Sequence, residues 1–373
     1  MLYRIEQART RSRLRDFIEL PFSIYRNDPN WVPPLRSEAR RVLNERKNPY
    51  YANASIELFI CYWDDLPIAR AAVIIDKNYE KKYGTKTAFF GFFESRNDRA
   101  AVRFLFAEIE KYCRARYIAS IEGPFNPNHY SELGLQISKY GTPPSFFQTY
   151  NPEYYPALLE DAGFKTSKTI FTAKNERIKE YFRQKQSAQL PSQNGKEFNV
   201  RAFRMNAFKE DMERVREVFN DAFDSNWHFL NVSKEEYEFS TKFLRFVTTP
   251  ELLKIVECNG ESAGVLMCVP DINPLIKDLR GRVGPLKFIR FLKHKKDIRR
   301  LIVYAVGFKK RFQRTTAYKL LYNEMVKMAE GYDTLETTWM SPDNLPAVKS
   351  AERFGMIPDK YFAIYAKQID GMC

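Results

Sequence analysis

The stretch Leu301-Ile302-Val303-Tyr304-Ala305-Val306 is apolar throughout and β-branched at its centre, which predicts a buried strand. A short basic loop follows it, Lys309-Lys310-Arg311-Phe312-Gln313-Arg314-Thr315-Thr316. From Ala317 onwards, apolar residues recur at helical spacing, namely Leu320, Leu321, Met325 and Met328. The segment therefore predicts a strand, a cationic loop and an amphipathic helix, in that order.

A second strand and a second helix come directly after this segment. Residues 334–339 have a strand pattern, and Asn344 leads into a helical pattern that stops at Gly355. Glycine suits the left-handed position just past the end of a helix. Residues 361–367, which are rich in aromatic side chains, predict a last strand. This order of elements resembles the cofactor-binding half of the GCN5-related N-acetyltransferase (GNAT) superfamily.

The chain contains a degenerate internal repeat. Pro152-x-x-x-Pro156-Ala157 with a later Gly163 matches Pro342-x-x-x-Pro346-Ala347 with a later Gly355. Each copy comes after a predicted strand–helix–strand, which indicates two copies of one fold. The predicted fold class is α/β (α+β), with two tandem GNAT-like units of mixed, largely antiparallel sheet flanked by helices. We expect an N-terminal unit at 1–175, a linker at 176–197 and a C-terminal unit at 198–373.

Composition limits the kinds of function. A length of 373 residues favours two domains over one. The five cysteines and three histidines lack the spacing of metal ligands, so we expect no metal site. Apolar runs are too short to span a bilayer and the first residues lack a signal-peptide pattern, which favours a cytoplasmic location. The net charge of +14 implies an anionic partner.

Much of this charge lies in an insertion at 271–300, just before the strand at 301–306. Residues 277–300 hold ten Lys/Arg against two Asp, a net charge of +8. Apolar residues are interleaved with the cations: Leu286, Phe288, Ile289, Phe291 and Leu292. A helix there, apolar on one side and cationic on the other, predicts peripheral contact of 283–296 with an anionic membrane, at its inner face. In the alternative interpretation the apolar residues pack on the second unit and the lysines are solvated.

The GNAT resemblance implies a donor-binding site in the C-terminal unit. Such enzymes bind the pyrophosphate of acetyl-CoA or a longer acyl-CoA with backbone N–H groups at a helix N-terminus. The implied cofactor-binding residues here are Val306, Gly307, Arg311, Phe312, Gln313, Arg314, Thr315, Thr316, Ala317 and Asn344.

The match to the family's Gln/Arg-x-x-Gly-x-Gly/Ala motif is degenerate. Two alignments are open, one through Phe312, Thr315 and Ala317 and one through Arg311, Arg314 and Thr316. Both lack the glycines that let backbone approach phosphate, so a basic surface loop on a decayed fold is the alternative. The N-terminal copy has Glu94-Ser95-Arg96-Asn97-Asp98 before its helix, and an acidic loop opposes phosphate. We therefore expect CoA to bind only the C-terminal unit.

Candidate catalytic residues come from the same resemblance. The family's usual acid is a Tyr seven residues after the Asn that resembles Asn344, and Ala351 stands there. Glu336 and Tyr304 lie on the strands that flank the thioester in such folds, so they are the candidates for base and acid. The alternative is that both are ordinary strand residues. For His129 and His228 we expect structural roles.

A wider resemblance covers nearly the whole chain. Its signatures in the first half are Trp31-Val32-Pro33-Pro34, Asn48-Pro49-Tyr50, Gly91-Phe92-Phe93-Glu94, Gly123-Pro124-Phe125-Asn126 and Tyr150-Asn151-Pro152-x-Tyr154-Tyr155. Together they resemble a bacterial family of long GNAT-like proteins that includes bacterial ceramide synthase-like acyltransferases. The resemblance implies acyl-CoA-dependent N-acylation of an amine, with a long-chain (sphingoid) base as one candidate. The alternative is a non-catalytic GNAT-like protein whose insertion binds nucleic acid or anionic lipid, although no nucleic-acid-binding signature supports the former.

Overall fold

The structure, a computed structural model, describes residues 2–185, 197–313 and 315–369. The chain divides into two compact units. The first comprises the chain up to Ile170, the short segment Ile276–Val283, and the chain from Lys360 onwards. The second comprises Phe171–Leu275 and Gly284–Asp359. Two strands and one helix cross these boundaries and contribute to both units.

The first unit is built on a mostly antiparallel sheet in the order β1-β2-β3-β4-β5-β15, followed by the first part of β9. Its strands are β1 (Tyr3–Gln7), β2 (Ala54–Trp63), β3 (Leu66–Asp76), β4 (Thr87–Ser95), β5 (Ser120–Gly123), β6 (Phe125–Asn126), β7 (Glu132–Leu133), β8 (Leu135–Gln136), β9 (Lys165–Asn175) and β15 (Ile357–Gln368). Its helices are α1 (Arg11–Ile24), α2 (Arg36–Val42), α3 (Lys77–Tyr83), α4 (Arg99–Arg114) and α5 (Tyr155–Asp161).

The second unit has the sheet order β9-β14-β13-β12-β11-β10, in which only β13 and β14 are parallel. Its remaining strands are β10 (Phe198–Ala202), β11 (Leu253–Cys258), β12 (Glu261–Pro270), β13 (Arg300–Phe308) and β14 (Thr334–Thr337). Its helices are α6 (Ile178–Lys185), α7 (Phe208–Phe223), α8 (Lys234–Thr241), α9 (Leu244–Val247), α10 (Asn273–Leu279, which continues into the first unit), α11 (Pro285–His294), α12 (Ala317–Ala329) and α13 (Leu345–Arg353).

Each sheet buries an apolar face under helices. In the first unit, α4 lays Val102, Leu105 and Ile109 on the sheet core. In the second unit, α12 lays Leu321 and Met325 on the alternate residues of β13 and β14. These faces follow the helical spacing in the sequence, because residues three and four apart share one side of a helix. The predicted fold class is confirmed.

The closing strands β9 and β15 do not follow the division of the chain at 1–175 and 198–373 that the sequence predicts. From Lys360 onwards, β15 lies in the first unit, where it pairs with β5. From Phe171 onwards, β9 lies in the second unit, where it pairs with β14. The repeat identifies two closing strands, but both have the same aromatic pattern, so the sequence does not say which sheet each one completes.

Part of the expected linker at 176–197 is also helical. Residues Ile178 and Phe182 are spaced four apart on α6, and both are buried in the core of the second unit. Polar composition had suggested a loop, but two apolar residues at helical spacing suffice to attach this segment to a core. Residues 186–196 lie outside the described part of the chain.

Candidate functional site

The parallel strands β13 and β14 separate halfway along β13. They pair residue by residue from Arg300 with Thr334 to Val303 with Thr337. The last contact is the Thr338 N–H, which donates to the Val303 carbonyl at 3.3 Å. Beyond this hydrogen bond, β13 continues to Phe308 and stays paired with β12. Within the described chain, β13 and β14 form no further pairs. Ligands in α/β folds commonly bind where neighbouring parallel strands diverge at their carboxyl ends.

Tyr304 lies at the point of separation, on a β-bulge. Val303 pairs with Cys268 and Ala305 with Met267, so Tyr304 is the extra residue on β13. A bulge redirects a side chain and interrupts regular pairing. Tyr304 is half-buried, and burial raises the pKa of its phenol to about 12, which keeps the hydroxyl protonated at neutral pH. Burial, and then the neighbouring Tyr304, raise the pKa of Tyr237 on α8 well above its ordinary value.

Glu336 lies on β14 in register with Ile302, one strand across from the bulge. Its carboxyl is buried, and Oε2 lies 3.7 Å from Nε of Arg300. The same guanidinium lies 3.5 Å from Oδ2 of Asp271, which is also buried. The structure therefore brings the two catalytic candidates onto neighbouring strands, but it also places Glu336 in an ionic cluster. Sequence reasoning did not single out Arg300 or Asp271, since neither belongs to a motif.

Three cations of the loop after β13, Lys309, Lys310 and Arg311, are already paired with acidic side chains of the second unit. Arg311 forms an ion pair with Glu261 and its guanidinium lies 4.8 Å from the ring centroid of Phe312. Lys309 Nζ lies 3.0 Å from Oε1 of the same glutamate. Lys310 Nζ donates to Oδ2 of Asp224 at 2.9 Å. Any phosphate that binds here exchanges partners with these carboxylates.

The rest of the loop is held by its own backbone. Gln313 Nε2 donates to the Phe308 carbonyl at 3.3 Å, and Thr315 Oγ1 donates to the Phe312 carbonyl at 2.8 Å. Thr316 stands at the N-cap of α12, and its side chain makes no capping hydrogen bond. The Lys319 N–H already donates to the Thr316 carbonyl at 3.0 Å, and helix N-termini in general are places where backbone amides can bind an anion. Arg314 lies outside the described residues.

The other residues expected to bind the donor have packing or capping roles in the structure. A Cβ on Gly307 would lie 3.2 Å from the Cβ of Ala222 on α7, so this glycine permits close helix packing. Val306 packs against the core of the second unit, and Ala317 is fully buried at the start of α12. Asn344 caps α13, with Oδ1 accepting from the Ala347 N–H at 3.3 Å. Its side-chain oxygen is therefore engaged by the helix that it caps.

The first unit has a corresponding strand separation, which its own chain fills. β4 and β5 pair in parallel only from Thr87–Ser120 to Phe89–Glu122, and β4 then has a bulge at Phe92–Phe93. The Phe92 N–H donates to Oδ1 of Asn126 at 2.6 Å. A Cβ on Gly91 would lie 1.8 Å from the carbonyl oxygen of Phe125. This position in the first unit is therefore occupied by residues 125–126.

Glu94, just past the bulge, is also engaged. Its Oε2 accepts hydrogen bonds from Tyr25 at 2.8 Å and from Tyr155 at 2.7 Å. Burial raises the pKa of this carboxyl above its ordinary value. Arg70, on the neighbouring strand, lies 3.9 Å from the other oxygen. Glu94 therefore belongs to a buried network rather than to an open loop.

Among the described residues, no group of three or more His, Cys, Asp or Glu side chains has a geometry suited to a metal ion. Within the same residues, no helix combines the length and the apolar character needed to cross a membrane.

Solved structures of the same architecture define the class. A tandem GNAT protein from the clavulanic acid biosynthesis pathway aligns with a TM-score of 0.57 at 10% identity, over 99% of each chain. A GNAT from Sphaerobacter thermophilus aligns at 0.51 and 12% identity, over 100% of this chain and 97% of the other. A probable N-acyltransferase from Enterococcus faecalis V583 aligns at 0.53 and 8% identity, over 99% of this chain and 73% of the other. The fold is that of a tandem GNAT protein.

Two curated proteins resemble the chain over nearly its whole length. It is 28% identical over 374 residues to a protein named bacterial ceramide synthase from Caulobacter vibrioides (strain NA1000 / CB15N), covering 97% of this chain and 96% of that protein. It is 27% identical over 364 residues to the protein YghO of Escherichia coli (strain K12), covering 95% and 93%. No family model matches the chain. At these levels of identity, the solved structures show the fold of the chain.

Proposed function

We propose that the protein transfers an acyl group from acyl-CoA to an amine, and that the second unit carries both substrates. The observation that carries this proposal is the separation of β13 from β14 at the Tyr304 bulge, directly before a cationic loop and the start of α12. A thioester needs an opening of this kind, with backbone amides at its edge and positive charge at its end. The first unit has its opening filled by Phe125 and Asn126, so it supports the fold rather than the reaction.

The donor's phosphates would be held at the loop after β13. Lys310 and Arg311 are more than half exposed and supply two cations, while the amides at the start of α12 supply hydrogen-bond donors. Asp224 and Glu261 keep these cations in place until phosphate replaces them. Hydrogen bonds between charged groups are the strong class of polar contact, so two such contacts can compensate for the missing glycines.

The chemistry would be direct transfer. Glu336 accepts a proton from the acceptor ammonium, and the resulting amine attacks the thioester carbonyl carbon. The carbon–nitrogen bond forms as the carbon–sulfur bond breaks, and Tyr304 donates its proton to the departing thiolate. The Tyr304 phenolate then takes the extra proton from the new amide nitrogen, which restores the phenol. The raised pKa of Tyr304 keeps that proton available. Nε of Arg300 lies 3.7 Å from Oε2 of Glu336 and holds this carboxyl in an ionic cluster with Asp271.

The proposed acceptor is a long-chain amine of the sphingoid-base class. The support for it is the full-length similarity to the Caulobacter vibrioides protein named as a bacterial ceramide synthase. The donor is acetyl-CoA or a longer acyl-CoA, and chain length is to be established by experiment.

The deciding experiment measures free CoA release and, by mass spectrometry, the N-acyl product. Purified protein is incubated with acetyl-, myristoyl- or palmitoyl-CoA and with sphinganine, a short alkylamine or no amine. We expect product only when amine is present, with sphinganine preferred over the short amine. A transferase with another acceptor would still release CoA with the short amine. If no amine supports CoA release although CoA binds, the proposed activity is wrong.

A second candidate function is a non-catalytic GNAT-like protein that binds an anion through its basic insertion. The observation favouring it is that Glu261 and Asp224 already pair with Lys309, Lys310 and Arg311, in a loop without glycine. Isothermal titration with CoA and with duplex DNA separates the two functions. Binding of DNA but not CoA would favour the second.

A further inference from the structure

Helix α11 of the insertion exposes its apolar side chains. None of its residues is buried. Leu286 is 83% exposed, Ile289 62%, Phe288 43% and Leu292 40%. Single exposed apolar residues are ordinary on protein surfaces, but a contiguous group on one helix is typical of an interaction surface.

These four side chains lie on one side of the helix. At about 100° per residue, Phe288, Leu292 and Ile289 fall within an arc of roughly 100°, and Leu286 lies about 60° beyond one end of it. Half-buried Phe291 lies about 60° beyond the other end. The exposed face is therefore apolar along the whole length of α11, rather than at one end.

The same segment is strongly cationic. Residues 285–296 hold Lys287, Arg290, Lys293, Lys295 and Lys296, with no Asp or Glu. Four of these five are exposed, and Lys295 is intermediate. Lys287 and Arg290 lie on the side of α11 opposite the centre of the apolar face, and Lys293 falls between Ile289 and Leu286 around the helix. This is the arrangement of a helix that lies in a membrane interface, where long cationic side chains reach the headgroups.

A second apolar side chain of the same unit lies beside the end of α11. Lys295 Nζ donates to the carbonyl of Phe246 at 3.2 Å, and the Phe246 ring is 49% exposed. The short helix α9 thus adds an aromatic group next to the C-terminal end of α11. The exposed apolar surface therefore includes two separate elements of the second unit.

The position of α11 relative to β13 is compatible with membrane binding. α11 precedes the first residue of β13 by a short turn, whereas the proposed phosphate loop follows its last residue. A strand of nine residues separates these ends by roughly 25 Å. Phosphates bound at the loop would therefore stay clear of an anionic surface that contacts α11.

We propose that α11, with Phe246, docks the protein onto the surface of an anionic phospholipid bilayer. The apolar face of α11 contacts the lipid hydrocarbon, and the anionic headgroups pair with the Lys and Arg side chains. Nucleic acid would use the cations but would leave Leu286, Ile289 and Leu292 in water. The docking does not require that the transferase proposal be correct, because it involves none of the residues assigned to the reaction.

Vesicle sedimentation with the full-length protein tests the proposal. Vesicles of phosphatidylcholine with 40% phosphatidylglycerol are compared with pure phosphatidylcholine at low and at physiological salt. The test variant is Leu286→Asp/Ile289→Asp. Its matched control is Leu66→Asp/Ile357→Asp, because this Leu and Ile are similarly exposed, at 53% and 68%, but lie outside α11. Circular dichroism spectra verify that both variants are folded.

We expect wild type and control to sediment with anionic vesicles, and the test variant to bind at least tenfold more weakly. Each cation near an anionic surface strengthens binding about fivefold, so binding should also decline with added salt. The proposal is overturned if wild type ignores anionic vesicles at low salt, or if the test variant binds as well as wild type. It is also overturned if a fluorescent 20-base-pair duplex displaces the vesicles and binds the test variant with wild-type affinity.

Discussion

The side chain of Asn126 accepts a hydrogen bond from the backbone N–H of Phe92 at 2.6 Å, on the bulge of β4 in the first unit. The second unit has its own bulge, at Tyr304 on β13. A bulge amide that already has an internal partner is not available to a ligand. The two units thus share a strand separation but differ in what occupies it. This difference favours a single donor site per chain.

Isothermal titration with CoA should therefore give one site per chain. Asn126→Ala leaves the Phe92 N–H without its acceptor, so we expect a loss of about 1–3 kcal/mol in the free energy of unfolding. Its CoA affinity should equal that of wild type, since the proposed site lies in the other unit. Two CoA molecules per wild-type chain, or a clear loss of affinity in Asn126→Ala, would contradict the assignment.

Charge reversal in the loop after β13 should weaken CoA binding. Lys310→Glu/Arg311→Glu removes two exposed cations beside the start of α12, and each charge-assisted contact is worth about 1.5–3 kcal/mol. We expect an increase in Kd of well over tenfold. Lys77→Glu/Lys81→Glu makes the same charge change on exposed positions of α3 and serves as control. Equal affinities of the two variants would mean that the loop is an ordinary basic surface.

The sequence predicts the fold well because its signals are local. The apolar run at 301–306 and the helical spacing from Ala317 each act within one element, and each appears in the structure. Pairing partners are not local. Nothing near Lys360 indicates that β15 leaves its own repeat to pair with β5.

The site was less predictable for the same reason. Tyr304 and Glu336 lie on adjacent strands, and their catalytic roles stay a prediction. Arg300 stands four residues before Tyr304 on the same strand, but Asp271 and Tyr237 come from two other places in the chain. Nor does a motif show that Glu261 and Asp224 pair with the cations of the loop. Only the folded sheet brings these charges together.

Replacement of Tyr304 tests the proposed acid. Tyr304→Phe removes only the hydroxyl, and a missing acid typically costs 10²–10⁴-fold in rate. We expect a decrease of about that size in kcat, with little change in KM for the donor. Because the pKa of Tyr304 is raised to about 12, the wild-type rate should show no loss from its ionisation below about pH 10.

The control for this change is Tyr237→Phe. In the wild type, the Tyr237 hydroxyl lies 3.9 Å from the sulfur of Met267. It should keep kcat within a few-fold of wild type. Equal losses in the two variants would indicate that the region is sensitive to any change in packing, rather than dependent on one proton donor.

Glu336→Gln tests the proposed base against a purely structural role. Loss of a base should lower kcat about 10²–10⁴-fold. The loss of stability should be small, because Arg300 is one-third exposed and keeps Asp271 at 3.5 Å. Breaking a fully buried ion pair would instead cost about 3–5 kcal/mol. Urea unfolding together with steady-state kinetics distinguishes the two outcomes. A large loss of stability with a normal kcat would make Glu336 an anchor for Arg300.

Asp211 on α7 should make the second unit sensitive to acid. Its carboxylate is fully buried and accepts from Arg201 at 2.8 and 3.0 Å and from the Arg204 N–H at 2.8 Å. Burial alone would raise its pKa, but the hydrogen bonds from Arg201 and Arg204 outweigh burial and lower the pKa to about 2. A carboxyl whose folded pKa is depressed stabilises the fold above its unfolded pKa of 3.8, and loses this contribution as the pH falls towards 2.

Asp211→Asn should therefore reduce the free energy of unfolding by about 2 kcal/mol at pH 6, and the difference from wild type should shrink as the pH approaches 2. Urea unfolding at pH 6, 4 and 2.5 measures this dependence. Glu210→Gln is the control, because that carboxyl is 72% exposed in its pair with Arg204 and should change stability by less than about 0.5 kcal/mol. If Asp211→Asn and wild type differ in free energy of unfolding by the same amount from pH 6 to 2.5, Asp211 contributes through shape and packing. A contribution from its charge must disappear once the carboxylate is protonated.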